Sequence, residues 1–198
     1  MGIAIVAVIL GLALLLVRSD TTPKQSGQDV TVQSEKMRTM RITSPSFKNN
    51  TDIPPKYTCQ GEDVSPPLLF SGVPQNTKSL LLILDDPDAP GGTFTHWVVY
   101  NIPPGTSEIA ENSLPDGASE GMTDFGKPGY SGPCPPPASP EQLRRSESGT
   151  HHYRFKLYAL DEALLFGDPH PPSRDTVVSE MRGHILDQSE LVGLYGKK

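Results

Sequence analysis

A chain of 198 residues with 17 Lys and Arg against 23 Asp and Glu, for a formal net charge of -6, has room for one ordinary domain with a sizeable core and some additional chain. The acidic balance and the lack of any Lys/Arg block exclude a nucleic-acid surface, because such binding rests on clustered cations that neutralise phosphates. The 21 prolines and 18 glycines fall mostly between short apolar runs, which points to a turn-rich, mostly β domain rather than to disorder.

From Gly2 to Val17 no side chain is polar. As a helix this stretch of about sixteen residues spans roughly 24 Å, short of a hydrocarbon core of roughly 30 Å but workable with interfacial flanks. Residues 1–17 therefore read as a membrane anchor or a signal sequence. No Lys or Arg precedes Arg18, and Leu14-Leu15-Leu16-Val17-Arg18 lacks a small-residue cleavage site, which favours an uncleaved anchor. Arg18 and Lys24 after the segment place the domain in the cytoplasm by the positive-inside rule, whereas Cys59 and Cys134 place it outside if they pair in a disulfide, the alternative being two buried, reduced thiols. The expectation is an anchored, extracytoplasmic domain, with secretion after cleavage and a cytoplasmic-facing domain as the alternatives. Residues 18–38 are polar and aperiodic, a tether.

The folded domain spans 39–198. Met40 and Ile42 alternate with Arg41 and Thr43 as in a half-buried strand, which Ser44-Pro45-Ser46 ends. Four prolines between Ile53 and Leu69 forbid a helix interior or central strand and predict an extended loop packing Tyr57, Leu68 and Leu69. Leu80 to Leu84 is a continuous apolar run, a strand buried on both faces. After a turn over Asp85 to Gly92, alternation puts Phe94, His96, Val98 and Tyr100 on one face and Thr95, Trp97 and Val99 on the other. Turn signals recur from Ile109 to Ser148, with a helical turn expected over Pro140 to Arg145.

His151 to Leu160 has the cleanest period of two: His151, Tyr153, Phe155, Leu157 and Ala159 look inward, and His152, Arg154, Lys156 and Tyr158 outward. A helical turn is expected over Glu162 to Leu165. Ser173 or Asp175 then caps a last helix in which Val177, Val178, Met181, Ile185 and Val192 recur at helical spacing.

Asp86, Asp88, His96, His151 and Tyr153 carry the chemistry near these apolar faces. Prolines on either side of the carboxylates preorganise their turn. Two histidines with two carboxylates suit a metal, general acid–base work, or a small anion held by His N–H groups with Asp orienting the rings. No Gly-x-Ser-x-Gly, His-Glu-x-x-His or Cys-x-x-Cys pattern is present. Cys134, set between prolines, lacks the helix N-terminus that activates a thiolate.

Asp86-Pro87-Asp88-Ala89-Pro90, His96-Trp97-Val98-Val99 with Asn101-Ile102-Pro103, Gly132-Pro133-Cys134-Pro135-Pro136, and His151-His152-Tyr153-Arg154-Phe155 with Leu157-Tyr158-Ala159-Leu160 resemble the phosphatidylethanolamine-binding protein family, in its prokaryotic branch of Raf kinase inhibitor-like proteins. The similarity begins near Met40 and includes Cys59 with Asp63-Val64-Ser65-Pro66-Pro67-Leu68. It implies packed antiparallel sheets with a C-terminal helix, preceded here by the N-terminal hydrophobic helix, and a pocket for phosphate-like anions or a phospholipid headgroup. By position the ligand-binding residues are Asp86, Pro90, His96, Gly132, Pro133, His151 and Tyr153, with a cis peptide bond before Pro90. His152 stands where the family commonly has arginine.

The expected function is a membrane-tethered or exported binding module with no catalytic residue, metal or cofactor. The expected partners are a small anionic or phosphorylated ligand, the membrane through the N-terminal helix, and a kinase or serine protease if the domain acts as a protein inhibitor. Homodimerisation stays open. A hydrolase using His96, His151 and Asp86 is the third alternative.

Overall fold

The computed structural model describes residues 39–137, 139–141 and 149–197. The expected anchor and tether lie outside these residues, as does most of the expected helical turn at 140–145, of which Pro140 and Glu141 are helical. Among the described residues no helix is long and apolar enough to cross a membrane.

The elements in chain order are β1 (Arg41–Thr43), β2 (Thr51–Asp52), a 3-10 turn (Pro55–Tyr57), β3 (Leu68–Ser71), β4 (Ser79–Asp86), β5 (Phe94–Ile102), β6 (Glu108–Ile109), β7 (Ser119–Glu120), β8 (His151–Leu160), α1 (Arg174–Glu180) and β9 (Ile185–Tyr195). They form a three-stranded sheet, β1-β3-β6, and a six-stranded sheet, β2-β9-β8-β4-β5-β7. All pairings between these strands are antiparallel except β2 with β9.

Two apolar layers cover the large sheet. On one side Met40, just before β1, and Ile42, Leu68 and Phe70 of the small sheet pack on Leu80, Leu82, Leu84, Trp97, Val99, Tyr153, Phe155 and Leu157. On the other, Val177 and Met181 of the α1 region pack on Leu81, Ile83 and Val98. That is why every residue of β4 is buried and why its centre, Leu80 to Leu84, is a continuous apolar run rather than an alternating one. Each of its leucines contributes about 1.5–3 kcal/mol by leaving water.

Strict alternation fails in β5. Leu84 pairs with Trp97 and Asp85 with Thr95, so His96 is an extra residue opposite the β4 ladder. Val98 and Tyr100 lie on the α1 side, as alternation requires of each other, but His96 does not join them. The bulge turns it to the face of Trp97, where its ring meets Tyr153 at 5.2 Å between centroids. A second register shift lies between the Leu80–Ile102 and Leu82–Val99 pairs. Within it Asn101 adopts a φ of 55° and its amide brackets Leu164, donating to the carbonyl at 2.9 Å and accepting from the N–H at 2.8 Å. Those backbone groups are thereby used, and Glu162 to Leu165 is an irregular segment rather than the expected helical turn.

The expected last helix is also corrected. The helix ends at Glu180, and Gly183, at a φ of 88°, turns the chain into β9, which pairs with β8 along its length. Ile185 and Val192 therefore belong to a strand in which Leu191, Gly193 and Tyr195 are the buried positions. The helical spacing of Ile185 and Val192 was accidental; the period of two from Leu191 onward is the one the tertiary packing uses. The proline-rich stretch before Leu69 likewise contains the 3-10 turn and the start of β3, with Tyr57 and Leu68 buried but Leu69 39% exposed.

Candidate functional site

Asp86 ends β4 and sits 3% exposed beneath the turn that follows. One carboxylate oxygen accepts the Asp88 N–H at 2.9 Å, closing an Asx turn. The other accepts from His151 Nδ1 at 2.7 Å, across the sheet from the first residue of β8. A single buried side chain therefore fixes both the turn and the imidazole. Pro90 lies exposed on that turn, and all peptide bonds among the described residues are trans, so the cis bond that resemblance implied before Pro90 is not seen.

His96 is held from a different direction. Its Nδ1 lies 2.8 Å from the Ser131 carbonyl oxygen, and Ser131 N–H returns a bond to the His96 carbonyl at 3.1 Å. A carbonyl can only accept, so Nδ1 carries the proton and Nε2 is the nitrogen left to meet a ligand. The same logic applied to His151, whose Nδ1 faces a carboxylate, leaves its Nε2 likewise uncommitted. Burial pulls the His96 pKa below the usual histidine value, against the raising effects of the Ser131 backbone, Asp86, the Gly132 backbone and Asp85.

The loop that supplies Ser131 is tied to the 3-10 turn region. Tyr130 donates its hydroxyl to the Tyr57 carbonyl at 2.7 Å, Gly132 N–H donates to Asp63 Oδ1 at 2.7 Å, and Cys59 N–H donates to the Pro133 carbonyl at 3.2 Å. A disulfide joins Cys59 to Cys134. A Cβ on Gly132 would lie 2.4 Å from the Tyr57 carbonyl oxygen and 2.7 Å from Asp63 Oδ1, so only glycine permits this approach. Gly132 and Pro133 are buried beside the cluster, yet the Gly132 amide is already used by Asp63. Their part is to shape the loop and aim the Ser131 carbonyl.

Tyr153 lies between the histidines, its ring edge-on to His96 and stacked on His151 at 6.4 Å between centroids. Its hydroxyl is buried near the Asp86 carboxylate and the Cys134 backbone, with a well-formed hydrogen bond to neither. Burial, followed by the nearby Asp86 carboxylate, pushes the phenol far above its ordinary range, so it is a hydrogen-bond donor at any physiological pH. Phe94 and Phe125 complete a ring cluster around His96, with centroids 5.3 Å from the imidazole in each case.

His152 points away, as the alternation of β8 predicts, and is 52% exposed at its side chain. It nevertheless engages the turn: its backbone N–H and its Nδ1 both lie 2.8 Å from Asp88 Oδ2. Desolvation works to raise the Asp88 carboxyl, but these two bonds, together with the charge interactions of His152 and His151, hold the group below the usual range. His152 thus braces the turn from outside.

The structure brings Asp86, His96, His151 and Tyr153 together, places Gly132 and Pro133 beside them, and leaves Pro90 on the rim. Sequence reasoning missed Ser131, Asp63 and Phe125. Ser131 acts through its carbonyl, which no residue type advertises; the aromatic in the turn Asp124-Phe125-Gly126 was the one available signal. Among the described residues no three His, Cys, Asp or Glu side chains converge as metal ligands do. Two depressions on the outer sheet faces, one along Lys156, Tyr158, Gln188 and Glu190 and one along Thr43, Leu69, Ser71 and Glu108, share no residue with the cluster.

Residues 43–196 match the sequence model of the family described as phosphatidylethanolamine-binding protein. A UPF0098 protein of Methanothermobacter thermautotrophicus is 46% identical over 162 residues, covering 79% of this chain and 98% of that protein. One from Aquifex aeolicus is 48% identical over 160 residues, covering 79% and 88%. Among solved structures, a phosphatidylethanolamine-binding protein homologue from Chlamydia trachomatis aligns with a TM-score of 0.70 at 39% identity, over 81% of this chain and 99% of that one. An E. coli member of the mammalian family aligns with a TM-score of 0.70 at 31% identity, over 80% and 99%.

Proposed function

This chain belongs to the phosphatidylethanolamine-binding protein family, and we propose that it is a binding module for a small anion, phosphorylated or carboxylated, that performs no chemical step. One observation carries the reading: two histidines have their Nδ1 atoms fixed by acceptors, Ser131 and Asp86, on either side of a buried Tyr153 hydroxyl that lies near the Asp86 carboxylate and the Cys134 backbone without a well-formed hydrogen bond to either. An anion taking the Tyr153 proton and, from protonated imidazole, Nε2 protons uses groups that the fold has already oriented. Hydrolysis is disfavoured because both cysteines are in the disulfide and the buried Ser131 hydroxyl is bonded to neither histidine.

Calorimetric titration with inorganic phosphate, phosphoethanolamine and acetate tests the reading. Binding with about millimolar affinity or better, weakened by about tenfold in Tyr153→Phe, supports it; no heat with any of the three removes it.

The apolar run 2–17 and the tether 18–38 support attachment of this module to a membrane, and the disulfide supports an extracytoplasmic side. A second reading, inhibition of a kinase or serine protease, is favoured by the exposed Pro136 and Pro137, which the disulfide anchors and which lose little freedom on docking. Loss of a captured kinase or protease in Pro136→Gly/Pro137→Gly would support that reading; unchanged capture would count against it.

A further inference from the structure

Phe125 is a large apolar side chain left 44% exposed, yet it is not loose. The turn that carries it is bonded at both ends. Asp124 accepts the Thr95 N–H at 2.6 Å through its carboxylate and donates its own N–H to the Thr95 carbonyl at 3.1 Å. Thr123 donates its N–H and its hydroxyl to the Lys127 carbonyl at 3.0 and 2.7 Å, and Gly126, at a φ of 74°, closes the turn onto the Thr123 carbonyl at 3.0 Å. This scaffold seats the Phe125 ring edge-to-face on Phe94 at 4.9 Å and on His96 at 5.3 Å between centroids.

An exposed phenyl ring fixed against a candidate anion-holding imidazole is a preorganised contact surface, since no side-chain freedom is lost when something packs on it. Inorganic phosphate has no atom that profits from such a surface. A substituent attached to the anion does, because whatever sits at His96 is within reach of the ring that covers His96.

We propose that Phe125 determines ligand choice at this site, favouring a small organic anion whose substituent presents an apolar face over the inorganic ion of the same charge type. The inference rests on the anion-binding reading above. It assigns the ligand class as an ester or carboxylate bearing an aryl or alkyl group, with the anionic end at the histidines and the substituent against Phe125.

Calorimetry on the full chain with phenyl phosphate, methyl phosphate and inorganic phosphate tests it, in the wild type, Phe125→Ala and Phe125→Leu. The wild type is expected to bind phenyl phosphate about tenfold more tightly than inorganic phosphate, with methyl phosphate between them. Phe125→Ala brings that ratio to about one, and Phe125→Leu, which keeps apolar area without a ring, leaves a ratio of about three; the leucine variant alone decides the matter if the alanine variant does not fold. Equal affinities in the wild type overturn the proposal. So does a tenfold ratio that survives both substitutions while all three affinities fall together, the signature of a purely structural ring. Failure of the underlying anion reading is distinct: none of the three compounds binds to any variant, and both proposals fall.

Discussion

His96 and Ser131 are joined twice, by the Ser131 N–H to the His96 carbonyl at 3.1 Å and by His96 Nδ1 to the Ser131 carbonyl at 2.8 Å. The bulge in β5 and the loop before Cys134 are therefore one unit, and the orientation of the imidazole depends on loop residues 35 positions away in sequence. Much of the behaviour expected of this protein follows from that dependence.

Burial of His96 sets a pH dependence with a definite sign. Its folded-state pKa is lowered, so below the unfolded value of about 6.5 the unfolded chain binds a proton that the folded chain does not. His96 thus contributes stability that is fully present above that value and declines as pH falls toward its lowered folded pKa. Urea melts between about pH 7.5 and pH 5 should show this loss in the wild type and a smaller one in His96→Gln. Phosphate, which favours the protonated ring, should offset the loss and stabilise more at the acid end.

Asp86 braces both the turn and His151, so Asp86→Ala leaves the buried His151 Nδ1 donor and the Asp88 N–H of the turn without their acceptor. A loss of about 2–3 kcal/mol in unfolding free energy is expected. Nitrogen shifts of the His151 ring should at the same time report a mixture of tautomers in place of one Nδ1-protonated form, and phosphate affinity should fall by about tenfold.

Gly132→Ala places a methyl group 2.4 Å from the Tyr57 carbonyl oxygen. The loop must move, the Asp63 bond is strained, and about 1–3 kcal/mol of stability is expected to be lost. Because Ser131 moves with the loop, the His96 ring signals should shift in this variant even though no atom of the histidine was altered.

The Cys59–Cys134 bridge closes a separation of 75 residues, which corresponds to about 4 kcal/mol in the chain-entropy model. The double variant Cys59→Ser/Cys134→Ser should be less stable by up to that amount and should bind phosphate more weakly, since Pro133 and Cys134 lie on the loop that aims Ser131. Thiol titration of the unfolded native protein should find none free.

Much of this was legible in the sequence because local pattern and tertiary environment agreed. β8 is the clearest case: its period of two put His151 and Tyr153 inside and His152 outside, and the structure does the same. β4 announced its burial on both faces by the unbroken apolar run Leu80 to Leu84 at its centre. Where the reading failed, a long-range effect overrode a local one. One extra residue in β5 reverses the facing of His96 relative to Val98, and no property of the string Phe94-Thr95-His96-Trp97 reveals it, since the bulge is defined only against β4. Ile185 and Val192 continue the helical spacing of Val177, Val178 and Met181, while pairing with β8 is what determines the structure of that segment. Of the candidate site, the side chains were found from chemistry and resemblance. The carbonyl of Ser131, the carboxylate of Asp63 and the ring of Phe125 were not, because each acts through a contact that exists only once distant segments meet.

The central claim is that His96 and His151 present their Nε2 atoms to one anion. The most direct measurement is nitrogen-detected NMR of the histidine rings during titration with inorganic phosphate. Saturable shifts at the Nε2 of both His96 and His151, with one common midpoint and the Nδ1 signals nearly still, are the predicted result. Rings that do not respond up to about 10 mM phosphate, an affinity of under 3 kcal/mol, or a response confined to the exposed His152, would contradict it.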